Sequence, residues 1–275
     1  MIEGFEKKPI ALDIFYKFFI PQPVIIYAHG FNGFKDWGNF DIIAEQFAEA
    51  GFVFIKFNFS HNGTSPAEPE TFVDLKAFGN NNYTKQVDDL QIIIDWTLDE
   101  NNPHSASIDK NNLFLIGHSM GGGIALIKAA EEPRIKRITT WASIDQCKTP
   151  WANWPAERLK KWKETGVEYY TNSRTGQQLP LYYQLYEDYV DNHERLDILK
   201  GVQQLNISLL ICHGSNDEAV PVSYAHNLHE AAKGSSLFIV QSDHVFGRKH
   251  PWLQKELPLP MQEVIDETIR FFKSI

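Results

Sequence analysis

Cysteine is scarce in this sequence. Cys147 and Cys212 are the only two, which excludes a disulfide framework and is what a reduced, cytoplasmic protein carries. Basic clusters are missing as well. Lys and Arg number 26 against 35 Asp and Glu, a net charge of −9, and no basic stripe runs along any segment, so nucleic acid is not expected as a partner. Apolar runs are strand-sized, well short of the roughly 20 residues that a membrane-spanning helix needs. The opening residues, Met1-Ile2-Glu3-Gly4-Phe5-Glu6, are acidic and lack the basic and apolar regions of a secretory leader. No internal repeat or low-complexity tract occurs. A hydrophobic share of 43% and a charged share of 22% fit a single large globular domain over residues 1–275.

What is there alternates. Apolar, β-branched runs at residues 10–19, 23–28, 52–57, 113–116, 138–144, 207–212 and 237–240 read as strands. Helical periodicity marks residues 41–50, which stop at Gly51, and residues 83–98, 223–232 and 261–272. The strands lack polar alternation, as expected of a mostly parallel sheet covered by helices on both faces. Active sites in such sheets lie beyond the carboxyl ends of the strands. Residues 146–200 break the rhythm and are rich in Trp and Tyr. We expect them to form an inserted, aromatic-rich cap, with Asn172-Ser173-Arg174-Thr175-Gly176 turning between two short extended pieces.

The most informative segment is Gly117-His118-Ser119-Met120-Gly121, between the strand at 113–116 and a helix that starts at Gly122. Strand, G-x-S-x-G, helix is the context of a nucleophile elbow. There the serine occupies a strained turn that pushes its hydroxyl out of the sheet end. Side chains two residues to either side would collide, so both positions call for glycine.

A serine hydroxyl needs a base within hydrogen-bond reach. In this architecture the base follows the last strand and its carboxylate partner follows the strand before. Gln241-Ser242-Asp243-His244 follows residues 237–240, so His244 is the expected base. His213-Gly214-Ser215-Asn216-Asp217 follows 207–212, so Asp217 is the expected acid, with Asp145 as its competitor. Two backbone N–H groups should receive the developing oxyanion. Met120 supplies one at the positive end of the elbow helix, and Phe31, in His29-Gly30-Phe31-Asn32-Gly33, supplies the other. His118 is expected to brace the elbow and His213 the acid turn. His61 is a candidate for the pocket wall, and residues 244–252 are expected to support the catalytic loop from below, with lining of the acyl pocket as the alternative. His226 and His229 lie three apart on a helix, but without H-E-x-x-H or a third ligand they read as surface residues, and no metal is expected.

Together His29-Gly30-Phe31, Gly117 to Gly122, His213-Gly214-x-x-Asp217-x-x-Val220-Pro221 and Asp243-His244 resemble the α/β-hydrolases, in particular the dienelactone-hydrolase-like and serine esterase group. They are also similar to the cinnamoyl/feruloyl esterases and the hydrolase domain of the prolyl-oligopeptidase group. The resemblance spans nearly the whole chain and is specific to fold rather than to substrate. It departs at Asn58-Phe59-Ser60-His61-Asn62-Gly63, where relatives carry an Arg-Gly or Gly-x-Gly pattern, and in a serine where dienelactone hydrolase has cysteine. It implies a cofactor-free serine hydrolase acting on a small or medium, aromatic or apolar, ester. A peptidase, amidase or thioesterase would use the same machinery, and a ligand-binding receptor would reuse the fold without turnover.

Overall fold

A computed structural model describes residues 1–274. Two short strands, β1 (Ile2–Glu3) and β2 (Pro9–Ile10), pair with each other ahead of the main sheet. That sheet takes β3 (Leu12–Phe15), β4 (Gln22–Ala28), β5 (Val53–Phe57), β6 (Ile108–His118), β7 (Ile135–Trp141), β10 (Ser208–Gly214) and β11 (Ser236–Val240). A hairpin of β8 (Val167–Thr171) and β9 (Gln178–Tyr182) stands apart from it. In space the sheet runs β11-β10-β7-β6-β4-β5-β3. Every pairing is parallel except the edge pair β3–β5.

Strand alternation divides the core in two. Val24 and Ile26 of β4 face one side with Leu113 and Leu115, while Ile25 and Tyr27 face the other with Phe114 and Ile116. The first face is covered by α3 (Tyr83–Leu98), α4 (Met120–Glu131), α7 (Ile198–Gln203) and α8 (Ser223–Ala231), the second by α1 (Phe40–Glu49) and α9 (Leu259–Lys273). Phe47, Phe54, Phe114 and Trp141 are fully buried on the second face, each contributing roughly 1.5–3 kcal/mol of burial free energy. A short helix, α2 (Leu75–Gly79), precedes α3.

Two strands end earlier than their apolar runs. The chain leaves the sheet after Phe15, and Phe18, Phe19 and Ile20 are exposed. β7 stops at Trp141 because Ala142 takes a left-handed φ of 49°, which breaks the ladder. Between β7 and β10 the chain forms α5 (Ala156–Thr165), the β8–β9 hairpin, α6 (Gln184–Asp191) and α7. The turn at Asn172 to Gly176 joins two antiparallel strands, as the sequence indicated.

Candidate active site

β6 delivers Ser119 directly into the N-terminus of α4, with φ 56° and ψ −122° at the serine. The surroundings hold that strained backbone in place. Ser119 N–H donates to the Trp141 carbonyl at 2.9 Å, and its own carbonyl accepts from Gly122 at 2.9 Å. A Cβ on Gly117 would lie 2.3 Å from the Gly121 carbonyl oxygen, and one on Gly121 would lie 2.3 Å from that of Ala28. The two glycines of the elbow are therefore required by contact with main chain, which cannot move aside.

The loop after β4 lies against the serine: a Cβ on Gly30 would meet Ser119 Cβ at 2.9 Å. His29 sets its direction. Phe59 N–H donates to His29 Nε2 at 3.4 Å, so Nδ1 carries the proton and donates to the Gly30 carbonyl at 2.9 Å. Gly33 N–H donates to the same oxygen at 3.2 Å. Across a trans peptide the carbonyl and the next N–H point opposite ways, so anchoring the Gly30 oxygen turns the Phe31 N–H to the other side. Among the described residues neither the Phe31 nor the Met120 amide has an internal acceptor. Burial pushes His29 down to about 4, against a smaller upward effect of its bond to Gly30.

The loops after β10 and β11 are built against each other. Ser215 N–H donates to Val240 at 2.8 Å and Asn216 N–H to Ser242 at 2.9 Å. A Cβ on Gly214 would be 2.5 Å from the Asp243 carbonyl oxygen. That contact brings His244 Nδ1 to 2.7 Å from Asp217 Oδ2. The Asp217 carboxylate is fully buried, whereas the His244 side chain keeps 21% exposure. Oδ1 of Asp217 accepts from Ala219 and Val220 N–H at 2.9 and 2.8 Å, and His213 Nε2 stands 3.3 Å from Oδ2. Burial alone would raise the Asp217 pKa. The bonds from His213, His244 and Val220 outweigh it and hold the carboxyl far below the usual range.

His118 Nε2–H donates to the His244 carbonyl at 3.0 Å and so fixes the backbone at His244. Burial, then the neighbouring His244 and Arg248, keep His118 well below its ordinary value. Asp145 is elsewhere: its Oδ2 accepts from Asn227 at 2.7 Å, and burial raises its pKa.

Ser119 and His244 both line two cavities, one of about 390 Å³ and one of about 300 Å³. Among the described hydrogen bonds His244 reaches Asp217 but none joins its ring to the serine hydroxyl; such contacts tighten when substrate excludes water. The larger cavity runs from the Phe31 loop to residues 245–250, the smaller from Ile144 to Tyr224. His61 lines neither, being buried between Ser60 and Glu6. His226 and His229 are exposed on α8. The described carboxylates close enough to share a cation are Asp13, Asp36 and Asp41. Lys56 Nζ already sits among them, 3.0 Å from Asp13 and 2.5 Å from Asp41. Among the described residues no helix is long and apolar enough to cross a membrane.

Reading by sequence alone preferred a supporting role for residues 244–252 and did not bring out the cationic wall that they give the larger cavity. Arg248, Lys249 and His250 line it beside Arg174 from the β8–β9 turn. The run Arg248-Lys249-His250 was the available signal.

A solved structure of Est1E from Butyrivibrio proteoclasticus with ferulic acid bound superposes with a TM-score of 0.69. It is 17% identical, and the match covers 98% of this chain and 97% of that one. The monoacylglycerol lipase of Paleococcus ferrophilus gives a TM-score of 0.67 at 16% identity, over 96% and 98% of the two chains. At such identities the likeness is one of fold. Over 130 residues, 46% of its length, the chain is 28% identical to the quorum-quenching protein AidA of Acinetobacter baumannii. It spans about a third of the length of the curated relatives it matches, 36% for AidA. Residues 23–177, more than half of the sequence and including the Phe31 loop and the elbow, match the alpha/beta hydrolase fold family, to which this chain belongs.

Proposed function

We propose that the protein is a serine hydrolase that cleaves carboxylic esters through an acyl-enzyme. One observation carries the reading: a serine on a strained elbow shares a cavity with a histidine whose far nitrogen is held by a buried carboxylate. In the first step Ser119 attacks the ester carbonyl while His244 Nε2 takes its proton. Asp217 keeps the proton on Nδ1 and stabilises the imidazolium that forms. The Phe31 and Met120 N–H groups receive the charge that grows on the carbonyl oxygen. His244 then returns its proton to the leaving alcohol. Water, activated by the same ring, releases the acid and restores the serine.

Residues 146–200 act as a cap in this scheme, supported by Asn172, Ser173 and Arg174 in one cavity wall and Tyr170 in the other. Initial rates on p-nitrophenyl esters from acetyl to dodecanoyl test the proposal. Turnover is expected in the wild type and loss of nearly all of it in Ser119→Ala. An inert wild type, or an equally active variant, would remove the esterase reading and leave amide cleavage or ligand binding.

A further inference from the structure

Arg248 is a buried cation with few partners among the described residues. Its residue is 4% exposed, yet of its five N–H donors only Nε–H has a partner among the described residues, the Val245 carbonyl at 3.2 Å. Nη1 is buried with none. The guanidinium stands 5.4 Å from the Trp37 ring and 5.3 Å from that of Phe40. These faces hold it without neutralising it. Asp243, close in the chain, spends Oδ1 on the N–H groups of Val245 and Gly247. Burial pulls Arg248 down to about 10, against weaker support from Tyr27 and Asp243. A cation largely kept from water without a paired anion is costly, and an arginine fork is shaped to receive two oxygens of one carboxylate.

Its surroundings point the same way. The cavity of about 390 Å³ beside Ser119 is lined by Arg174, Arg248 and Lys249, and by no Asp or Glu. This occurs in a chain whose net charge is −9. Glu70, 3.6 Å from His250, lines a neighbouring depression instead. Arg174 and Lys249 are exposed at the rim, placed to draw an anion inward rather than to bind it alone. The second cavity differs. Ile144, Pro150, Val220, Pro221 and Tyr224 line it, with Lys148 its one Lys, Arg, Asp or Glu side chain.

From this we infer that the larger cavity is a carboxylate-binding subsite, so that the ligand carries an anionic group on one side of the reacting centre and an uncharged group on the other. One buried cation matches one negative charge, which favours a carboxylate over a doubly charged phosphate. That the ligand is an ester rests on the hydrolase reading above; that it is anionic does not.

Two matched pairs test the inference: mono-p-nitrophenyl adipate against p-nitrophenyl hexanoate, and 4-carboxyphenyl acetate against phenyl acetate. The first places the carboxylate on the acyl limb, the second on the alcohol limb. In at least one pair kcat/KM of the anionic ester should exceed that of its neutral partner by about tenfold or more. Arg248→Met, which keeps an unbranched apolar stem against Trp37, should bring that ratio to near one. A ratio cancels any general loss of folded enzyme. Should Arg248→Met fail to fold, the rim variant Arg174→Gln with Lys249→Gln should lower the same ratio severalfold. Ratios at or below one in both pairs, untouched by these variants, would overturn the inference and leave the serine mechanism standing. Calorimetric titration of Ser119→Ala with monomethyl adipate and with dimethyl adipate needs no turnover. Preferential binding of the monoester, lost with Arg248→Met, supports the subsite even if the wild type hydrolyses nothing; equal binding of both overturns it.

Discussion

Two of the histidines that share a cavity with Ser119, His244 and His29, are treated by the fold in opposite ways. His244 is partly open to the cavity and sits 2.7 Å from a buried carboxylate, an environment in which a proton can arrive. His29 is buried, pushed down to about 4, and bound to a carbonyl and an amide, an environment that keeps it neutral. The difference separates two tasks. Moving a proton calls for a ring that can become a cation, with an anion ready beside it. Aiming a backbone dipole calls for a rigid ring that never does. One side of the proposed reaction therefore uses side-chain charge, the other uses main chain held by an uncharged side chain.

The comparison is broken most severely on the charged side. Asp217→Asn should lower kcat by about 10³–10⁴-fold, since the amide cannot hold the Nδ1 proton or stabilise the imidazolium. Asp145→Asn should stay within about threefold, because Asp145 bonds Asn227 and not the base. Steady-state rates on one activated ester decide both, and the reverse order would move the acid to Asp145.

On the neutral side the effect should be smaller and of a different kind. His29→Phe leaves the Gly30 carbonyl held by the Gly33 N–H alone and lets the Phe31 N–H drift. Since an oxyanion donor is worth about 10²–10³ in turnover, misaiming one should lower kcat by roughly 10–10²-fold with little change in KM. A variant that changed KM alone would assign His29 to packing. The same substitution has a pH signature. The unfolded chain binds a proton at His29 near its ordinary 6.5, the folded chain only near 4. Between these values the unfolded state holds more protons, so stability falls as pH drops from 6.5 to 4, by about 3 kcal/mol for this group. His118, also lowered, adds in the same direction, while Asp89, pushed up to about 6 by burial, opposes it over the lower part of the range. Urea unfolding at pH 7 and 4.5 should therefore show a shallower loss in His29→Phe than in the wild type. Equal losses would contradict a neutral His29.

Legibility in the sequence followed the same division. Steric demands of main chain leave marks, because glycine alone satisfies them. Gly117, Gly121 and Gly30 located the elbow and its facing loop before any fold was known. Chain order then favoured Asp217 over Asp145 and His244 over nine other histidines. Helix α3 was visible as a stripe of Val87, Leu90, Ile93 and Ile94, all buried. Helix α5 was not, since Trp162 is its only buried residue and one apolar position makes no periodicity. The aromatic wealth of residues 146–200 is spent largely on itself. Trp151, Trp154, Trp162, Tyr183, Tyr186 and Tyr189 pack ring against ring, and Tyr170 is the aromatic of that segment in a cavity wall. Composition counts rings without saying which way they face. Arg248 was hidden for a related reason: its significance lies in the partners it lacks, and a missing partner is visible only in three dimensions.

The central claim is that Ser119 is the activated nucleophile. Mass spectrometry of the intact protein after treatment with a fluorophosphonate tests it without any choice of substrate. The account expects one adduct per chain, mapped to Ser119, lost in Ser119→Ala and greatly slowed in His244→Ala. An unlabelled wild type, or an adduct that persists in Ser119→Ala, would contradict it.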